Sequence, residues 1–175
     1  MDKTQQKDFT RWLLISLIAI ALLFGGSITL YAQEKPPRPI SIFANPAQGL
    51  SFGAFSQTGS GGTVIISASG SRSVTGGVIA LNLGFSFSPA IFEVDAEPGT
   101  LITIVNGPDI SLSGSGGGSM SMHIGNSSVG SPFIATATSP ARTQLRIGGT
   151  LTVGTPLANP PGDYSGTFSV TFVQQ

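Results

Sequence analysis

Pro161-Gly162-Asp163-Tyr164-Ser165-Gly166-Thr167-Phe168-Ser169-Val170-Thr171-Phe172-Val173-Gln174 reads as one turn followed by one strand. Pro-Gly-Asp supplies the turn, because proline presets φ and glycine admits a positive one. Beyond it, Tyr164, Phe168, Val170 and Phe172 fall at even spacing and share one face of an extended chain. Ser165, Thr167, Ser169 and Thr171 share the other. One face is large and apolar, the other carries small hydroxyls. Such a strand is stable only where its apolar side is covered, so the rest of the chain is expected to supply a sheet.

The same period recurs outward from this stretch. Leu145 and Ile147, then Leu151 and Val153, alternate within residues 142–153, and Gly148-Gly149 between them predicts a bulge or corner. Met120, Met122 and Ile124 form another alternating strand. Leu101, Thr103 and Val105 alternate with Ile102 and Ile104 before Asn106-Gly107, a turn dipeptide that Pro108 extends into a longer connection. Residues 90–96 place Phe92, Val94 and Ala96 inward and Glu93, Asp95 and Glu97 outward. Residues 62–68 place either Val64 and Ile66 or Ile65 inward, and Leu50, Phe52 and Ala54 share a face. The apolar run 77–87 does not choose a face. Ile40, Ile42 and Ala44 form a short strand stopped by Asn45-Pro46. Residues 57–62 and 113–119, rich in Gly and Ser, read as flexible turns. No segment after residue 32 sustains a helical period. The fold class is all-β: an antiparallel immunoglobulin-like β-sandwich of about seven to ten short strands at roughly 8–12-residue spacing. A closed barrel is the lesser option.

Charge and cysteine usage bound the compartment. Lys3, Lys7 and Arg11 precede an apolar run from Trp12 to Leu23, and Tyr31-Ala32 ends in a small residue. This is the three-part pattern of a secretory signal peptide over residues 1–32, cleaved after Ala32. The 20 residues from Trp12 to Tyr31 are long enough for an uncleaved anchor, but Gly25, Gly26 and Ser27 interrupt them. Residues 33–44 are expected to be an extended, proline-rich leader or first strand, and residues 45–175 the sandwich domain. The mature protein is therefore expected to be periplasmic, cell-surface or extracellular, with no membrane association after cleavage. Beyond residue 32, Lys35, Arg38, Arg72, Arg142 and Arg146 stand against Glu34, Glu93, Asp95, Glu97, Asp109 and Asp163. That balance gives no electrostatic reason to bind nucleic acid. The chain has no cysteine, so it carries neither a disulfide nor a lipid-modified cysteine, and a packed core must hold the fold alone.

An ordered set of short motifs resembles the bacterial secreted domain-of-unknown-function family 4402. They are Leu50-Ser51-Phe52-Gly53 with Phe55, Gly61-Gly62-Thr63-Val64, Gly76-Gly77-Val78, Pro89-Ala90 with Phe92, and Glu97-Pro98-Gly99. Ile147-Gly148-Gly149-Thr150-Leu151-Thr152-Val153 and Gly162-Asp163-Tyr164-Ser165-Gly166-Thr167-Phe168 complete the set. The family is similar in pattern to pilin-like and spore-coat-type β-sandwich proteins. The resemblance implies a secreted sandwich that serves as a fibre or surface subunit, and it brings no catalytic residues. This chain departs by ending Val173-Gln174-Gln175 where such families often end in an aromatic residue.

Residues that could carry chemistry are few. His123, the only histidine, lies between Met122 and Ile124 and should face solvent, away from any triad. Glu93, Asp95 and Glu97 share one strand face, a geometry that could hold Ca²⁺ or work as acid and base. A solvated face opposite Phe92 and Val94 explains them more simply, with Arg142 and Arg146 pairing to them if the two strands are neighbours. The Gly-rich stretches lack the Gly-Lys-Ser/Thr of a phosphate loop, and no His/Cys cluster suggests a metal. Asn126-Ser127-Ser128 fits a glycosylation sequon. Tyr164 is expected in the core with its hydroxyl bonded to backbone, which weakens a carbohydrate-stacking role. No catalytic, cofactor-binding or metal-binding residue is assigned. The expectation is a non-enzymatic secreted or cell-surface structural protein, a pilin-like or surface-assembly subunit that joins copies of itself or other surface subunits by strand addition. The alternative is a monomeric secreted binding module for a glycan or protein, using the Gly/Ser tips as contact loops. Residues 36–44 are the candidate donor strand, and pairing within their own sheet is the simpler reading.

Overall fold

The computed structural model describes residues 36, 38–45 and 47–175; the expected signal peptide, residues 1–32, lies outside them. Strands are the only regular structure among the described residues. In chain order they are β1 (Ser41–Ala44), β2 (Ser51–Phe52), β3 (Phe55–Ile66), β4 (Arg72–Ala80) and β5 (Phe87–Ser88). Next come β6 (Ala90–Asp95), β7 (Leu101–Asn106), β8 (Ile110–Gly114) and β9 (Ser119–Ser127). The last are β10 (Phe133–Ile134), β11 (Thr143–Val153), β12 (Tyr164–Ser165) and β13 (Val170–Gln174).

β11 organises the larger sheet. One edge pairs β9, from Ile147 opposite Ser127 to Thr152 opposite Ser121. The other edge pairs two strands end to end, β6 along residues 143–147 and β3 along residues 149–153. The handover falls at Gly148-Gly149, where the register to β9 also shifts, so the expected bulge is present. A Cβ on Gly148 would run into the carbonyl oxygen of Ile66, and one on Gly149 would lie 2.8 Å from Leu50 Cδ2. The backbones meet too closely there for side chains. The sheet runs β1-β6-β11-β9-β8-β12, with β3 and then β4 branching from the second half of β11. A second sheet runs β10-β7-β13, and β2 pairs β5 separately. Every pairing is antiparallel.

The alternation read from the sequence selects the core. Val64, Ile66, Val94, Ile124, Leu145, Ile147 and Leu151 of the larger sheet are each at most 2% exposed and cluster with Ile102 and Ile104 of β7. The Phe92 and Phe172 rings meet between the two sheets, 5.7 Å apart. The ambiguity at residues 64–66 resolves in favour of Val64 and Ile66.

Three readings are corrected. The closing stretch is two strands: Tyr164-Ser165 pairs β8, Val170–Gln174 pairs β7, and residues 166–169 cross from the larger sheet to the smaller. The apolar face survives the crossing, with Tyr164, Phe168, Val170 and Phe172 all packed on the core. Periodicity reports which side is buried and is silent on which neighbour takes the hydrogen bonds. Second, residues 57–62 are no turn but part of β3. Gln57 pairs Val78 and Gly62 pairs Gly76, so residues 58–61 bulge out opposite the single Gly77. A Cβ on Gly77 would collide with the Ser60 carbonyl, which is why glycine stands there. The hairpin turns instead at Ser67, whose carbonyl accepts from Gly70 N–H at 2.9 Å. Third, the run 77–87 is not one strand: β4 ends at Ala80, and Leu83 and Phe85 stand 64% and 66% exposed before β5.

Candidate functional site

Part of the inner face of the larger sheet floors a cavity of about 890 Å³. Ile110 sits opposite Met122 and Leu112 opposite Met120, so β8 and β9 present all four side chains on one face. Leu151 of β11 extends this floor, Phe52 and Phe55 close it from the β2–β3 side, and Phe168 closes it from the crossing segment. The β2–β3 side is set by Arg72, a residue the sequence reading passed over. Its guanidinium donates to the carbonyls of Phe52 (3.3 Å), Ala54 (3.1 Å) and Leu81 (3.1 Å) and lies 4.5 Å from the Phe87 ring centre. One planar fork with several donors thus ties residues 52–54 to Leu81.

The far wall is residues 154–164. Asn159 is 2% exposed. Its Oδ1 accepts from Gly154 N–H, and its Nδ2 donates to the carbonyls of Ser119 (2.6 Å) and Ala158 (3.0 Å). Its own carbonyl accepts from Gln57 Nε2, whose amide oxygen, Oε1, is buried with no hydrogen-bond partner. Neither Asn159 nor Gln57 was singled out from sequence. The available signal at Asn159 was its place ahead of Pro160, a turn-initiating pair. Tyr164 behaves as expected: it packs on the core, and its hydroxyl donates to the carbonyl of Pro160 at 2.7 Å. The Ser/Gly tip between β8 and β9 is a turn, yet it is docked rather than free. Ser115 N–H donates to the Asp163 carbonyl and Asp163 N–H to Ser115 Oγ, each at 2.9 Å.

The other sequence candidates lie elsewhere. His123 faces outward with its Nδ1 2.7 Å from Asp109 Oδ1, both side chains more than half exposed. On the acidic face of β6, Arg142 Nη1 meets Glu93 Oε2 at 3.0 Å, and Arg38 Nη2 meets Asp95 Oδ2 at 2.6 Å. Arg146 makes no ion pair among the described residues, and Arg142 also stacks 3.6 Å from the Phe43 ring centre. These carboxylates are thus neutralised by neighbouring arginines, and no group of three or more metal-ligating side chains occurs among the described residues. No described helix is long and apolar enough to cross a membrane. Residues 41–44 pair β6 of their own chain, Ser41 opposite Asp95 through Ala44 opposite Phe92.

The cavity is the feature best suited to take up another molecule. It is concave, walled by core side chains, and edged by a few fixed polar groups, the general form of a binding site. No curated protein and no solved structure gives a significant match to this chain. A family model described as Domain of unknown function (DUF4402) matches residues 41–173, and the chain belongs to that family.

Proposed function

We propose that this chain is a non-enzymatic structural protein, exported by residues 1–32 and working at the cell surface as a pilin-like or surface-assembly subunit. The observation that supports this is β1. It is the end strand of the larger sheet, all four of its residues are exposed, and Ile42 and Phe43 are 38% and 40% exposed. An end strand this short is held by one neighbour, β6. The same pairing can be made with β6 of another copy, with the proline-rich leader as spacer. Size-exclusion chromatography and negative-stain microscopy of the mature protein test the reading. Deleting residues 33–44 should leave a folded monomer that no longer assembles; a deletion that unfolds the domain refutes it. The second reading is a monomeric secreted binding module for a glycan or protein, and the cavity favours it. A mature protein that stays monomeric at all concentrations would select that reading.

A further inference from the structure

We propose that β1 and β13 together form a self-complementary interface with a second copy of this chain, in which β1 of each copy adds to the open edge of the other's smaller sheet. β1 stays on its own β6, so the inference does not rest on strand exchange. Both strands end their sheets, and they do so on the same side of the domain. The Phe172 ring lies 5.7 Å from that of Phe92 on β6, and Gln174 Nε2 donates to the Arg38 carbonyl, just ahead of β1, at 3.2 Å.

The free backbone groups match. Asn45 N–H donates to the Ile91 carbonyl, so Ser41 and Phe43 also turn their groups to β6, while those of Ile42 and Ala44 point away. Gly107 N–H donates to the Ser169 carbonyl and Gln175 N–H to that of Leu101, so Val170, Phe172 and Gln174 point away from β7. β13 carries none of the devices that blunt an edge: residues 170–175 include no proline, glycine or charged side chain, and the register to β7 is unbroken. β4, the longest end strand, is interrupted by Gly76 at a φ of 64° and by the bulge facing it.

The apolar faces match as well. Ile42 stands opposite Val94 and Ala44 opposite Phe92, so both look into the sandwich, yet both are exposed, Ile42 by 38%. The smaller sheet ends at β13 and leaves them uncovered. A two-fold axis parallel to the strands sets β1 of the second copy antiparallel beside β13, with Ile42 opposite Phe172 and Ala44 opposite Val170. The two β1 strands then face each other across the axis, and each covers Ile42 and Ala44 of the other. The contact is isologous and closed, so it yields a dimer.

The chain has no cysteine, so Ser41→Cys with Val173→Cys introduces the only thiols. Across the interface these two positions form a pair without hydrogen bonds between them, about 4.5 Å apart at Cα and within reach of a disulfide. Within one copy they lie on the outer faces of different sheets. Residues 33–175 should sediment as a dimer, and mild oxidation of the double variant should give a covalent dimer. Ser41→Cys with Thr171→Cys, one pair out of register, should cross-link at least about tenfold more slowly. Ile42→Lys sets two ammonium groups face to face and should weaken the dimer at least about a hundredfold with the circular dichroism spectrum unchanged. Ser121→Lys, on the outer face of β9, should change it by less than about twofold. A monomer at all concentrations overturns the proposal. So does a dimer that oxidation of the Ser41/Val173 variant fails to cross-link, which would leave exchange of β1 as its cause.

Discussion

Replacing Asn159 with alanine tests whether a single buried side chain holds the cavity wall. The substitution removes three hydrogen bonds, from Gly154 N–H and to the carbonyls of Ser119 and Ala158. Ser119 and Ala158 are exposed residues, so their carbonyls can turn to water. Gly154 is only half-buried, but its N–H pointed at the missing amide loses its acceptor, at about 1–3 kcal/mol. Adding the smaller net losses of the other two bonds gives about 2–4 kcal/mol. For a domain of this size each kcal/mol lowers Tm by about 2–4 °C, so a drop of about 4–16 °C is expected. Urea and thermal unfolding followed by circular dichroism measure it, since residues 33–175 contain no tryptophan. Asn159→Asp should recover part of the loss, because Oδ1 persists for Gly154 while the two donors are gone. A loss below about 0.5 kcal/mol for the alanine variant would refute the reasoning, because it would make Asn159 equivalent to an ordinary surface residue.

At Gly62 an added Cβ would run into the Thr75 carbonyl, whereas at Gly59 it meets nothing within 4 Å. Gly62→Ala should therefore cost about 1–3 kcal/mol and Gly59→Ala less than about 0.5 kcal/mol in urea unfolding. Leu145, fully buried at the centre of the larger sheet, should lose about 2–5 kcal/mol on truncation to alanine, read from the urea midpoint at constant m-value. Arg142→Glu should lower Tm in low salt more than Arg146→Glu, because Arg142 alone contacts Glu93 and Phe43, and added salt should narrow the gap.

What was legible in the sequence was sidedness. Val94 and Ala96, Met120 and Met122, Leu145 and Ile147 alternate with polar neighbours, and each is buried as its period requires. The glycine pair at 148–149 announced its bulge because only an unusual backbone needs two adjacent residues without side chains. Pairing was not legible. Gly59 to Gly62 carry the composition of a turn, and only Gly76 and Gly77 on the facing strand turn that composition into a bulge. The polar groups of the candidate site escaped for a related reason. Gln57 and Asn159 are separated by 102 positions, and each alone reads as a solvated loop residue. Arg72 reads as a turn charge until three carbonyls from two separate segments converge on it.

The misread closing strand and the cavity share a cause. β7 needs a partner along its Ile102–Asn106 edge, and β13 supplies it from Val170 onward. β8 needs one at Ser113-Gly114, and β12 supplies that. One segment serves both sheets only by leaving the first ladder after Ser165, so residues 166–169 pass over β8 without extending it. Gly166 allows the passage, since a Cβ there would lie 2.7 Å from Leu112 Cδ2 and 3.4 Å from Ile110 Cδ1. The crossing segment brings Gly166 and Phe168 to that side of the cavity. The domain thus completes its second sheet by leaving part of its first sheet under a loop, and that loop walls one side of the cavity.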